Sequence, residues 1–152
     1  MISIAWALGA AMLANTTPQA APTRGPACDL TPKEVVTQFM TKFYIDKRPR
    51  EAFEQWVDPG YIQHNPMAPT GREAAIAFLE PFMAQNPAVN YSIKRIIAEG
   101  DLVVVHAHGR FAPDDRGIAV VDILRVEGCK VMEHWDVVQP VPENSANSNG
   151  MF

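Results

Sequence analysis

One carboxylate among aliphatic residues is the feature of this sequence best suited to chemistry. Asp122 lies in residues 118–126, where β-strand alternation places it on the same face as Val120 and Leu124. We expect that face to be the interior. A buried carboxyl group is either hydrogen-bonded or has a raised pKa, and the second state suits a general acid or base. Asp122 is therefore the first candidate catalytic residue; the alternative is a structural aspartate bonded to a neighbouring side chain.

Two histidines on the preceding predicted strand are the next candidates. His106 and His108 are two residues apart, so both point to one face, which they share with Leu102 and Val104. If that face is the concave one, the pair would flank Asp122 and donate to a substrate carbonyl. The alternative is that one histidine is a core residue and the other lies at the rim.

A third histidine lies in an irregular segment, residues 61–66. Binding and catalytic residues lie on loops more often than the fraction of residues in loops would suggest. We therefore expect His64 to act at the site and Tyr61 and Asn65 to contact the substrate. The alternative is that Asn65 and the following proline only turn the chain. Tyr44 is a further candidate hydroxyl donor, with a plain core role as its alternative.

Residues 133–136 alternate between two faces of the last predicted strand. Glu133 and Trp135 share one face, and His134 and Asp136 share the other. We expect Trp135 to line the pocket, because an indole offers an apolar wall and one N–H donor. His134 and Asp136 would then form an outward polar pair at a dimer interface.

Histidine and aspartate can also bind zinc or iron. The spacing of Gly100, His106 and His108 is similar to the start of a cupin metal motif, but the glutamate expected next is absent. Glycine-rich phosphate loops and nucleophile elbows are also absent, and Lys130 is expected to be exposed at a turn. We therefore expect neither a metal nor another cofactor.

Helix signals come first and strand signals after them. Thr31 and Pro32 begin the first helix, Thr70 is expected to cap the third, and turns are expected at residues 100–101 and 127–128. The predicted later helices and strands cover residues 49–57 and 71–84, then 89–98, 102–111, 117–126 and 130–138. This order indicates an α+β fold. Several strands are apolar on both faces, so we expect one face to cover the helices and the other to form a homodimer interface.

The overall composition restricts the classes of molecule that the protein is expected to bind. The chain has 152 residues and a net charge of −4 without a basic cluster, which argues against nucleic acid. No apolar run is long enough to span a bilayer. Residues 1–29 read as a signal peptide or a disordered extension before one domain, residues 30–152. We expect a periplasmic or secreted protein, with a cytoplasmic one as the alternative.

Two cysteines, Cys28 and Cys129, are the whole cysteine content of the chain. In an oxidising compartment they would be able to form a disulfide that ties the start of the domain to the last hairpin. The alternative is two unpaired structural cysteines.

Four motifs, in order, resemble the SnoaL-like polyketide cyclases of the nuclear transport factor 2-like superfamily. The resemblance covers roughly residues 30–152 and is strongest to bacterial proteins predicted to catalyse aldol condensation. The motifs are Tyr-Ile-Gln-His-Asn-Pro (61–66), Thr-Gly-Arg-Glu-Ala (70–74), Val-Asp-Ile-Leu-Arg-Val (121–126) and Lys-Val-Met-Glu-His-Trp-Asp (130–136).

This resemblance implies a cone-shaped, curved antiparallel sheet packed on N-terminal helices, with one apolar pocket. It also implies a pocket aspartate that serves as acid and base for aldol closure without a metal or Schiff-base lysine. Asp122 matches that aspartate, and His106 or His108 matches the pocket histidine. We therefore expect a cofactor-independent lyase or isomerase that acts on a small carbonyl compound. A non-catalytic small-molecule-binding protein is the alternative, because this fold hosts both.

Overall fold

Helices precede most of the sheet in residues 28–152, the part of the chain that the computed structural model describes. Helix α1 spans Pro32–Met40 and continues into a π-helical turn, Thr41–Ile45; α2 spans Pro49–Trp56 and α3 spans Arg72–Gln85. The predicted signal segment falls almost wholly outside the described residues. Within them, no helix has the length and apolar character needed to cross a membrane.

The start of α1 follows directly from its sequence. The Thr31 hydroxyl accepts a hydrogen bond from the Glu34 backbone N–H at 3.3 Å, and the Glu34 carboxylate accepts one from the Thr31 N–H at 2.7 Å. This reciprocal capping box satisfies backbone donors that a helix start leaves free. The helix then buries Val35, Val36 and Phe39 against the sheet, so the predicted first helix is confirmed.

The start of α3 differs from the prediction. Its N-terminal cap is Gly71, whose φ of 94° is a conformation that favours glycine, and no side chain caps the helix. Thr70 instead accepts a hydrogen bond from the backbone N–H of Gln63 at 2.9 Å. The threonine therefore holds the preceding segment in place rather than the helix.

Five strands in the described residues form one curved sheet in the order β1-β5-β4-β3-β2. β1 runs parallel to β5, and the other neighbours are antiparallel. The strands are β1 Val57–Gln63, β2 Asn90–Glu99, β3 Leu102–Arg110, β4 Ile118–Glu127 and β5 Lys130–Pro140. The helices cover the inner face of the sheet, and the predicted α+β architecture is confirmed.

Strand β1 is the element that the prediction missed. Its pairing with β5 joins Val57 to Val131 and then resumes at Ile62 and Gln63, with a register shift between. The intervening Asp-Pro-Gly sequence reads as a break because proline and glycine are poor strand formers. The strand forms nevertheless, and it brings residues 61–63 beside the last strand.

A β-bulge in β5 decides which of its side chains face inward. Arg125 pairs with Glu133, but Val126 pairs with Val131, so β5 has one extra residue, Met132, between the two pairs. Val131 and His134 therefore point to the same, inner face although they are three residues apart. A regular strand would have turned His134 outward.

A disulfide joins Cys28 to Cys129, with the Cα atoms 5.3 Å apart. It links the segment before α1 to the tight turn between β4 and β5, where Cys129 has a φ of 51°. The alternative of two unpaired cysteines is therefore wrong. The closed loop is long, since the two residues are 101 positions apart.

Removing both sulfurs with Cys28→Ser and Cys129→Ser should lower the free energy of unfolding by about 2–4 kcal/mol, because a crosslink across a long loop restricts the unfolded chain. Urea unfolding without reductant measures the change. The wild type should lose the same stability when dithiothreitol is added, whereas the double variant should be insensitive to it. A wild type that does not respond to reductant would show that the disulfide contributes nothing.

Candidate functional site

A cavity of about 380 Å³ lies between the helices and the inner face of the sheet. Its size falls in the range of small-molecule sites, and such sites are mostly apolar with a few polar groups. A few polar side chains from β1, β4 and β5 lie together at one part of an otherwise aromatic wall. The phenylalanines that line it are Phe39, Phe43, Phe53, Phe78, Phe82 and Phe111.

Asp122 is the deeply buried acid of this cavity. It is 2% exposed, as predicted for its face of β4. One carboxylate oxygen, Oδ1, lies 3.0 Å from Nε2 of His134. The other, Oδ2, is buried and has no hydrogen-bond partner among the described residues. A buried oxygen without a partner is costly, because its desolvation is not compensated by a hydrogen bond.

His134 and Asp136 complete a polar cluster with Asp122. The Nδ1 atom of His134 lies 2.9 Å from the side-chain oxygen of Gln63. Asp136 is the direct cross-strand partner of Asp122, and its carboxylate accepts a hydrogen bond from the Asn65 side-chain amide at 2.6 Å. Strand β1 thus supplies a polar partner to His134, and the segment that follows it supplies one to Asp136.

This cluster has no basic partner among the described residues. Two carboxylates face the cavity, and none of the described residues that line it is a lysine or an arginine. Among the described residues, negative charge in this cluster can therefore be balanced only by a proton, on His134 or on a carboxyl group, or by what binds there.

Three tyrosine hydroxyls line the same cavity. Tyr44 stacks on Tyr91 with ring centroids 3.9 Å apart, and Tyr61 is 4% exposed. Burial raises the pKa of all three hydroxyls, and the nearby charge of Asp122 raises them further. The pKa of Tyr91 reaches about 12. All three therefore remain protonated near neutral pH and can donate hydrogen bonds.

His106 and His108 do not share the face of Asp122, and that expectation is wrong. Asp122 pairs with Val105, whereas His106 pairs with Val121 on the outer face of the sheet. His108 donates a hydrogen bond to the carbonyl of Arg116 at 2.7 Å, and its ring lies 4.2 Å from that of Phe152. Residues 102–105 are apolar on both faces, so alternation could not indicate which face is interior.

His64 and Trp135 also lie outside the cavity. Their rings stack with centroids 4.5 Å apart, and His64 Nε2 donates to the Glu133 carboxylate at 3.2 Å. The expectation that Trp135 lines the pocket fails because the bulge at Met132 reverses the faces of β5. His134 and Asp136 face the pocket instead. The other expected contacts, Tyr44, Tyr61 and Asn65, do line it.

The four histidines do not converge on a metal site. Among residues 28–152, one group has ligand atoms close enough to bind a cation: Asp122, His134 and Asp136, all within 4.8 Å of one another. Both ring nitrogens of His134 already have partners in the protein. A cation bound to His134 would therefore have to replace one of these two hydrogen bonds.

Several solved structures have the same fold, and each matches this chain over most of its own length. A candidate polyketide cyclase from Bacillus cereus ATCC 10987 has 19% identity and a TM-score of 0.59, covering 77% of this chain and 87% of its own. A candidate SnoaL-like isomerase from Agrobacterium tumefaciens C58 has 11% identity and a TM-score of 0.59, covering 72% and 99%. TsrD from Streptomyces laurentii has 22% identity and a TM-score of 0.57, covering 72% and 91%.

These identities show the fold alone, and no curated protein matches the chain in sequence. The family comparison goes further. Residues 36–134, more than half of the chain, match the family described as the SnoaL-like domain. The chain therefore belongs to the SnoaL-like domain family.

Proposed function

We propose that this protein is a cofactor-independent enzyme that moves a proton on a small carbonyl compound, in an aldol condensation, cyclisation or isomerisation. The observation that carries the proposal is that Oδ2 of Asp122, a residue lining an aromatic cavity, has no hydrogen-bond partner among residues 28–152, while Oδ1 lies beside His134. The candidate cyclase and isomerase with this fold support the same class of chemistry.

In the first step, the substrate binds so that the carbon adjacent to its carbonyl group lies at Oδ2 of Asp122. The carboxylate takes the proton from that carbon, and the electron pair of the broken C–H bond moves into an enolate. The developing oxyanion needs a hydrogen-bond donor in a water-poor site. The hydroxyls of Tyr44, Tyr61 and Tyr91 are suitable donors because burial keeps them protonated.

The second step returns the proton. In an aldol reaction, the enolate carbon forms a bond to a second carbonyl carbon, and the resulting alkoxide takes the proton from Asp122. In an isomerisation, the proton returns to another carbon of the same molecule. One carboxyl group serves both steps if the substrate is held still, as an enclosed cavity can do. In this proposal His134, and not His106 or His108, has the supporting role.

The lining of the cavity favours an uncharged substrate. Aromatic and aliphatic side chains make up most of the wall, and residues 28–152 place no lysine or arginine there to bind a carboxylate or phosphate. The two pocket carboxylates would repel an anion. We therefore expect a neutral ketone or aldehyde, cyclic or aromatic, small enough for about 380 Å³.

Asp122→Asn keeps the shape of the side chain and removes its ability to carry the proton. Turnover should fall by about 10²- to 10⁴-fold, while the melting temperature and ligand affinity stay close to those of the wild type. Deuterium uptake from D₂O at carbon next to the carbonyl, followed by NMR over a panel of cyclic and aromatic ketones, measures the proton transfer without a known product. Asp114→Asn, an exposed position away from the cavity, is the matched control.

Deuterium uptake by the ketone at the wild-type rate in Asp122→Asn would contradict the assignment of the acid–base role to Asp122. Ligand binding without any exchange in the wild type would overturn the enzyme proposal. It would instead support a non-catalytic binding protein that uses the same cavity.

We propose that the outer face of the sheet is covered by a second copy of the chain. Apolar side chains from several strands remain exposed there: Ile62 is 45%, Ile97 59% and Val137 65% exposed. Trp135 lies next to Val137 on this face of β5. Exposed apolar side chains on one face of an antiparallel sheet are typical of an interface.

Val137→Glu should convert a dimer into a monomer without affecting the fold, since the side chain is largely exposed within one chain. Light scattering after size-exclusion chromatography, over a range of concentrations, measures the mass. Ala77→Glu, an exposed position on α3, adds the same charge elsewhere and should leave the dimer intact. A monomeric wild type at high concentration would rule out this interface.

A place outside the reducing cytoplasm, periplasmic or secreted, remains our proposal for the location. The disulfide between Cys28 and Cys129 supports it, because such bonds persist mainly in oxidising compartments.

A further inference from the structure

We propose that Gln63 is a positioning residue that holds the proton of His134 on Nδ1, so that Asp122 and His134 share one movable proton. Gln63 lies on β1, directly beside His134 on β5. The location of the proton is independent of any reaction, and only its use in catalysis rests on the proposed function.

The orientation of the Gln63 side-chain amide is set by a backbone N–H, which can donate a hydrogen bond but cannot accept one. The backbone N–H of Asn65 donates to the side-chain oxygen of Gln63 at 2.9 Å. A backbone N–H cannot accept a hydrogen bond, so the atom facing it must be the oxygen of the amide. The side-chain nitrogen of Gln63 then points the other way, towards Tyr61.

The same oxygen determines the tautomer of His134. Nδ1 of His134 lies 2.9 Å from Oε1 of Gln63, and an amide oxygen can only accept. Nδ1 must therefore carry a hydrogen and donate it. A histidine nitrogen whose partner is an obligate acceptor keeps its proton, which fixes the role of the other nitrogen.

The remaining nitrogen, Nε2, faces Oδ1 of Asp122 at 3.0 Å. Because Nδ1 is already protonated, one further proton lies between Nε2 of His134 and Oδ1 of Asp122. It lies either on Nε2, giving an imidazolium beside a carboxylate, or on Oδ1, giving a neutral pair. Asp122 can therefore give up or receive a proton at Oδ2 while His134 compensates at Oδ1.

Gln63 also orients a cavity hydroxyl. Its side-chain nitrogen donates to the Tyr61 oxygen at 2.9 Å, so the hydroxyl accepts there and its own hydrogen points elsewhere. Tyr61 lines the cavity, where that hydrogen is free to donate to a bound carbonyl. One amide thus sets the direction of hydrogen bonding on both sides of the site.

Nitrogen-15 NMR of the histidine side chains over a pH range tests the inference without a substrate. The His134 signals are assigned by their loss in His134→Gln. In the wild type, Nδ1 of His134 should stay protonated at every pH at which the protein is folded. Gln63→Met keeps the length of the side chain but removes the strong acceptor. In this variant, Nδ1 should lose its proton within the folded range, and the neutral ring should carry its proton on Nε2.

Gln63→Glu restores an acceptor and should return the proton to Nδ1, which a merely structural role would not require. Gln55→Met, on the exposed side of α2, is the matched control and should behave as the wild type. A wild-type His134 with its neutral proton on Nε2, or an unchanged tautomer in Gln63→Met, would overturn the inference. Because none of these readouts needs turnover, the proposed function can fail separately, through Asp122→Asn.

Discussion

The contact between Asp122 and His134 is the constraint on which the rest of the site depends. A carboxylate that is 2% exposed in an aromatic cavity is expensive unless another group shares its proton or its charge. In the described part of the chain no lysine or arginine lines this cavity, and His134 is the group that contacts Asp122, at 3.0 Å from Oδ1. That contact occupies one carboxylate oxygen and leaves the other without a hydrogen-bond partner among the described residues.

Two backbone features bring the pair together. The bulge at Met132 turns His134 and Asp136 inward while Val131 stays in the core. The parallel pairing of β1 with β5 then sets Gln63 beside His134, and Thr70 anchors the Gln63 backbone. Bulges often re-aim side chains next to functional sites. Here the bulge converts what would have been an outward polar pair into the centre of the cavity.

Features that depend on neighbouring residues in the sequence were predicted correctly, and features that depend on how the strands pair were not. The capping box at Thr31 and the burial of Asp122 depend on nearby residues and on a clear alternation, and both were predictable from the sequence. The inward direction of His134 depends on one inserted residue, which the sequence pattern does not mark, and a shift of one residue exchanges the two faces of a strand. Gln63 was missed because the strand that carries it is interrupted by proline and glycine. His106 and His108 were misplaced because their strand is apolar on both faces.

A crystal structure of the protein with a bound ketone that exchanges its proton in D₂O would decide whether Asp122 is the acid–base group. We expect the exchanging carbon to lie in contact with Oδ2 of Asp122 and the carbonyl oxygen to accept a hydrogen bond from a cavity tyrosine. A ketone bound with that carbon away from Asp122, or bound on the outer face near His106 and His108, would contradict it.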